Sequence, residues 1–225
     1  KCNGSSGSEY SETYRGKTPA SEPETKVLMD LVAKTRPVFD ISYHSYSELV
    51  LYPYGCQGQH VATSEIVESI GKDLAKLIKK DNGSGGYTPG TPWEIGGDID
   101  WMYNEYGVIP YVIELNSTSA GFQPPYSLVA PTLEKQRPAW TNLLQRLDES
   151  SIRGVLAEGK FTAETLILVS GLGSVKYEST HKIKSDGSFH VVVKPGMYKV
   201  SISTPNFDVV NQEVTVGKAR TNLEL

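Results

Sequence analysis

The sequence predicts an α/β layer with a mixed or largely parallel sheet over residues 1–150, followed by a small all-β sandwich over residues 151–225. Three observations carry this expectation. Between residues 21 and 147, segments with apolar residues at helical spacing alternate with short apolar strands, the pattern of a sheet covered by helices. From Glu149–Ile152 onward the apolar period drops to two, and turn signals recur about every ten residues, as in small sandwiches. The 225 residues are 38% hydrophobic and 21% charged, with 21 Gly and 13 Pro, a globular composition sufficient for one large or two modest domains.

Residues 3–20, rich in Gly, Ser and Thr, are expected to form an ordered surface loop. Ser21-Glu22-Pro23-Glu24 then starts a helix, with Ser21 as cap, Glu24 closing a capping box and Pro23 tolerated in the first turn. Val27, Leu28, Leu31 and Val32 fall on one face of it. Val38–Tyr43 is an apolar strand running into His44. Ile66, Ile70, Leu74 and Ile78, spaced by four, predict a helix over Val61–Lys80 that Asp81-Asn82-Gly83-Ser84-Gly85-Gly86 stops. Thr88–Gly97 is Pro/Gly-rich loop, Asp98–Tyr106 a short helix capped by Asp98, Val108–Leu115 a strongly apolar strand and Asn116–Pro125 loop. Leu133–Leu147 is the last helix, with Pro138 expected to kink it. Beyond it, Thr165–Val169, Ser188–Val193, Tyr198–Ser203 and Asp208–Val216 are the clearest strands. Asp186-Gly187 predicts a hairpin turn and Pro195-Gly196 a second turn.

A net charge of −4 without a Lys/Arg block argues against a nucleic-acid partner. No apolar stretch approaches the roughly 18 residues that span a membrane. No signal peptide is visible, and the chain opens at Lys1 without a Met, which points to processing or truncation. Cys2 and Cys56 are the two cysteines. They form one bridge, which would fit the expected secreted or periplasmic location, or stay as thiols, or Cys2 pairs upstream of Lys1. His60, His181 and His190 lack metal-ligand spacing and are expected at the surface. The sequons Asn3-Gly4-Ser5, Asn82-Gly83-Ser84 and Asn116-Ser117-Thr118 fit chance occurrence.

Two residues carry the candidate chemistry. His44 sits at the end of a strand and is followed at once by the hydroxyls of Ser45, Tyr46 and Ser47, a setting that suits a metal site better than a core. Glu114 lies near the end of the otherwise apolar run Ile109-Pro110-Tyr111-Val112-Ile113-Glu114-Leu115. A carboxylate there is desolvated, its pKa rises, and it becomes a candidate general base.

The block His44-Ser45-Tyr46-Ser47-x-Leu49-x-Leu51-Tyr52-Pro53-Tyr54-Gly55 resembles the zinc-ligand segment of metallocarboxypeptidases of the carboxypeptidase A type. Ile113-Glu114-Leu115 is similar to the catalytic-glutamate segment of the same family, Gly96-Gly97-Asp98-Ile99-Asp100-Trp101 to one wall of its specificity pocket, and Gly121-Phe122-x-x-Pro125 to the loop after the catalytic strand. Ser11-Glu12-Thr13-Tyr14-Arg15-Gly16, followed by Ser21-Glu22-Pro23-Glu24, is a fifth match. The run Ser185–Val200 looks like the transthyretin-like module appended to many carboxypeptidases.

The resemblance implies a Zn2+-dependent hydrolase acting on peptide or protein C-termini. His44 would be one of three protein ligands, and Glu114 would take a proton from the bound water and pass it to the leaving amine. Ser45, Tyr46 and Phe122 would line the substrate cleft, with Leu51, Gly55, Glu94, Asp98, Ile99 and Val112 around the pocket base. Ile99 and Gly55 favour apolar or aromatic C-terminal residues, whereas Glu94 and Asp98 would admit Lys or Arg. Asp98 could also be no more than a helix cap.

Two departures follow. The family's His-x-x-Glu zinc motif and carboxylate-gripping Asn-Arg pair find no match here, so the chain is expected to be the C-terminal part of a catalytic domain that needs its N-terminal half as partner and is inactive without it. The family's substrate-binding Tyr falls on Pro92, and Tyr87 would replace it only in a rearranged loop. Alternatives are a cell-wall peptide or amide hydrolase on the same fold, and an inactive fragment or pseudoenzyme with a binding sandwich.

Overall fold

In a computed structural model, residues 5–55, 64–92 and 97–224 are described. Four helices, α1 (Pro23–Thr35), α2 (Ser64–Leu77), α3 (Asp98–Tyr106) and α4 (Val129–Arg146), accompany strands β1 (Phe39–Ser45), β2 (Leu49–Leu51), β3 (Thr88–Gly90) and β4 (Ile109–Leu115). These strands form a mixed sheet in the order β1-β4-β2-β3, with β1 parallel to β4 and β2 antiparallel to it. Alternation along the strands divides the sheet into two faces. Phe39, Ile41, Val50, Ile109, Tyr111 and Ile113 pack with Ile66, Val67, Ile70 and Leu74 of α2 and Ala139 and Leu143 of α4 in the main core. Each large aliphatic side chain buried there contributes about 1.5–3 kcal/mol. The other face carries Asp40, Ser42 and His44 from β1 and Val112 and Glu114 from β4.

Several expectations need correction. Ser21 does not cap α1: Glu22 is the N-cap without a side-chain bond, and the Ser21 hydroxyl donates to the Glu22 carboxylate at 2.7 Å. Of the apolar face of α1, Val32 is buried and Leu28 packs beside it, while Val27 and Leu31 remain exposed. Helix α2 ends at Leu77 rather than Lys80, because the returning chain takes its last residues into other pairings: Tyr87 N–H donates to Ile78 O at 3.0 Å, and Lys79 bridges Gly86. Helix α4 starts one turn before Leu133, with Pro131 in the first turn where its missing N–H costs nothing, and Pro138 lies within the helix.

Gly86 is held where no side chain fits. A Cβ would stand 2.3 Å from the Ala75 carbonyl oxygen and 2.8 Å from the Lys76 Cα, both backbone. Gly86→Ala should therefore lower stability by about 2–3 kcal/mol, an overpacking cost measurable by denaturant titration. An unchanged midpoint would mean that the α2 terminus yields.

Beyond residue 150, β5 (Ser151–Val155), β6 (Leu166–Gly171), β7 (Glu178–Lys182), β8 (Ser188–Val192), β9 (Gly196–Ser203), β10 (Val210–Val216) and β11 (Thr221–Glu224) form two sheets, ordered β10-β9-β6-β7 and β11-β5-β8. Ile152, Phe189, Val191 and Leu223 of one sheet share a core with Ile167, Val169, Tyr198, Val200 and Ile202 of the other. Gly187, at φ 77°, does make a turn, but β7 and β8 enter different sheets, so the turn closes no hairpin ladder.

These sheets dock on the α/β part through Tyr177, which packs against both cores, and Val192. His181 is not at the surface. Its imidazole lies against Gly107, where a Cβ would come within 2.3 Å of Nδ1, and its Nε2 is 2.8 Å from the Ser179 hydroxyl. Burial lowers its pKa to about 4. His190 is half-buried, and burial, then Arg153 and Arg220, likewise lower its pKa to about 4. Both histidines are expected at the surface from the sequence because neither shows metal-ligand spacing. For His181 the cover comes from the docked α/β part, at Gly107.

Candidate active site

The parallel register of β1 and β4 makes His44 the direct neighbour of Glu114. Registered residues on parallel strands point to the same face, with backbones about 4.8 Å apart, so imidazole and carboxylate share one side of the sheet. Leu49 of β2 pairs with Glu114 from the other flank. Glu114 is half-buried: desolvation raises its pKa above the ordinary carboxylate value, and the neighbouring His44 opposes that rise. A carboxylate shifted in this direction binds a proton more readily than an ordinary glutamate, the direction a general base that must also return its proton requires.

The chain turns sharply after His44. The Ser45–Tyr46 peptide is cis, and the Ser45 hydroxyl donates to the Phe122 carbonyl at 3.0 Å, drawing the loop after β4 over the strand end. Phe122 thus reaches the site with its backbone, while its ring stands exposed. Tyr46 is half-buried.

Below the pair, Leu51 of β2, Ile99 of α3 and Val112 of β4 converge with Leu49 in one small apolar cluster. Gly55 is fixed beside it: its N–H donates to the Asp100 carboxylate at 3.0 Å, with Asp100 itself buried. Asp98 is the first residue of α3 and not its cap, which is Gly97. Its Oδ1 accepts the Ile99 N–H at 2.9 Å. Tyr87 is withdrawn from any substrate role, since it is 3% exposed and its hydroxyl accepts the Asn116 N–H at 2.9 Å. Glu94, Gly96, His60, Cys2 and Cys56 lie outside the described residues.

Two residues on this face were not singled out as site residues from the sequence. Asp100 stands in the sequence only as part of a motif; its burial and its hold on the Gly55 N–H are set by the fold. Asp40 lies four residues before His44 and so shares its face; burial, then the charge of Asp98, raise its pKa. The i, i+4 spacing on a strand was the available signal.

As to metal, the described residues contain no group of three or more His, Cys, Asp or Glu side chains that could hold an ion. They offer one exposed imidazole beside one carboxylate, fewer groups than the three protein ligands of a catalytic zinc site.

Comparison with known proteins assigns the class. The zinc carboxypeptidase family profile (peptidase M14) matches residues 1–139, and the chain belongs to that family, which uses Zn2+. It is 34% identical to mouse carboxypeptidase A1 over 153 residues, covering 65% of this chain and 36% of that protein. It is also 34% identical to zinc carboxypeptidase A 1 of Anopheles gambiae over 166 residues, covering 69% of this chain and 37% of that one. The structure of bovine thrombin-activatable fibrinolysis inhibitor in complex with tick carboxypeptidase inhibitor superposes with a TM-score of 0.57 at 27% identity, over 63% of this chain and 51% of that one. The chain therefore spans little more than a third of the length of these curated relatives. Among the described residues, no helix is long and apolar enough to cross a membrane.

Proposed function

We propose that this chain carries the base-bearing and pocket-forming part of a zinc metallocarboxypeptidase that releases the C-terminal residue of peptides and proteins. His44 is a zinc ligand, Glu114 the general base, and Ser45, Tyr46 and Phe122 line the cleft. Leu51, Gly55, Ile99 and Val112 form the pocket, with Glu94 and Asp98 at its margin. The single observation that carries this reading is the register partnership of His44 with Glu114 on one sheet face, above the Leu51–Ile99–Val112 cluster. Zinc, when bound, supplies Lewis-acid polarisation and an acidified water. The ligands beyond His44 come from residues outside the described set. Glu114 accepts a proton from the attacking water and returns it to the leaving amine. Residues 1–150 form the catalytic part and residues 151–225 a transthyretin-like sandwich, in a secreted or periplasmic protein.

A second reading keeps the fold and changes the substrate to a cell-wall peptide or an amidated amino acid. The burial of Tyr87 favours it, because Tyr87 then cannot stand in for the family's substrate-binding Tyr. One experiment separates these. The intact protein is assayed for bound zinc and for products from peptides ending in a free apolar residue, a free basic residue or an amide. Release of one free C-terminal residue, abolished by a chelator and restored by zinc, is expected. Cleavage confined to the amide or to internal bonds favours the second reading, and stoichiometric zinc without hydrolysis rejects both.

A further inference from the structure

Helix α3 connects two places that no shared side chain joins. At its N-terminal end Ile99 enters the cluster with Leu51 and Val112, and Asp100 holds the Gly55 N–H. At its C-terminal end Glu105 pairs with Lys182 of β7, and Lys182 Nζ lies 5.3 Å from the centre of the Tyr106 ring. Arg36 lies over the same ring at 5.2 Å, and Gly107 is closed off by the His181 imidazole. Tyr54 hydrogen-bonds Asn104 at 3.3 Å and meets Tyr103 edge-on at 5.6 Å, so the middle of α3 is tied to the residue before Gly55. With nine residues, α3 is about 13 Å long. A helix that short, held at both ends and at its middle, moves as one body.

We propose that α3 transmits the docking of the C-terminal sheets to the floor of the substrate pocket, making Glu105 and Lys182 positioning residues for selection of the C-terminal side chain. This rests on the carboxypeptidase reading given above. Neither residue reaches the His44–Glu114 pair; both act by fixing where Ile99 and Asp100 stand. The sheets beyond residue 150, which carry no part of the pocket themselves, thereby acquire a role in specificity.

The test uses the intact, zinc-loaded protein with Lys182→Glu, Glu105→Lys and the double exchange. Two peptides differing only in an apolar or a basic C-terminal residue report selectivity, and hydrogen exchange at Gly55 reports the floor directly. Each single variant should change the ratio of kcat/KM between the peptides roughly five- to tenfold, through KM with kcat held, and speed Gly55 exchange by a similar factor. The double exchange should restore both. Singles with unchanged selectivity and exchange, or a double variant that recovers neither, overturn the proposal. Should a charge reversal prevent folding, Lys182→Met serves instead, with smaller shifts in the same direction expected. A wild-type protein that hydrolyses neither peptide would reject the carboxypeptidase reading, while Gly55 exchange would still decide whether the coupling exists.

Discussion

Glu114→Gln should keep its zinc and lose about a thousandfold in kcat, because removing a positioned general base costs about two to four orders of magnitude. The amide preserves the size of the side chain and its place beside His44 but cannot take up a proton. The geometry makes the test clean, since Glu114 is placed by the β1–β4 ladder, beside His44. Metal content and single-turnover rate should be measured on one preparation. A variant that loses zinc would make Glu114 a ligand, and one that keeps its rate would remove it from the chemistry. Desolvation, opposed by His44, raises the Glu114 pKa, so the base is available above that raised value. Activity should accordingly fall as pH drops through it, earlier than for an ordinary glutamate.

The second large effect concerns stability in acid. His181 has a pKa of about 4 in the fold against an ordinary value of 6.5, owing first to burial, with a hydrogen bond to the Tyr106 backbone opposing it. The unfolded chain therefore takes up the proton first. Stability is full above about pH 6.5 and declines by up to about 1.4 kcal/mol per pH unit towards pH 4, about 3 kcal/mol in all. His190, lowered to about 4 as well, adds in the same direction. Asp186 does not confound this window: the Ser188 hydroxyl holds its carboxyl low, so its contribution is lost only at more acid pH. Melting temperature followed from pH 7 to 4.5 should fall steeply in the wild type and less steeply in His181→Gln. Identical slopes would assign the acid sensitivity elsewhere.

The parts of the site legible in the sequence were those fixed locally. His44 at a strand end, Glu114 in an apolar run and the bounds of α3 could be read because each depends on a handful of adjacent residues. What could not be read was set by non-local pairing. No pattern within β1 or β4 announces that residues 44 and 114 share a register, and nothing near His181 foretells that Gly107, seventy-four positions away, will cover it. The end of α2 was misplaced for the same reason, since Tyr87 and Gly86 return to claim its final residues. Asp40 was available through strand alternation, but an acid in an apolar strand shows its place only once the occupants of that face are known.

The seven paired positions from Phe39–Ile109 to Ser45–Leu115 act as a ruler whose unit is one residue. Because successive side chains alternate in direction, the separation of His44 from Glu114 cannot drift by small amounts; it is kept or it is lost. Wear on the opposite face, at Phe39, Ile41, Tyr111 or Ile113, will thus leave the working pair intact until pairing itself gives way. Function in this chain should fail abruptly with the fold rather than fade ahead of it.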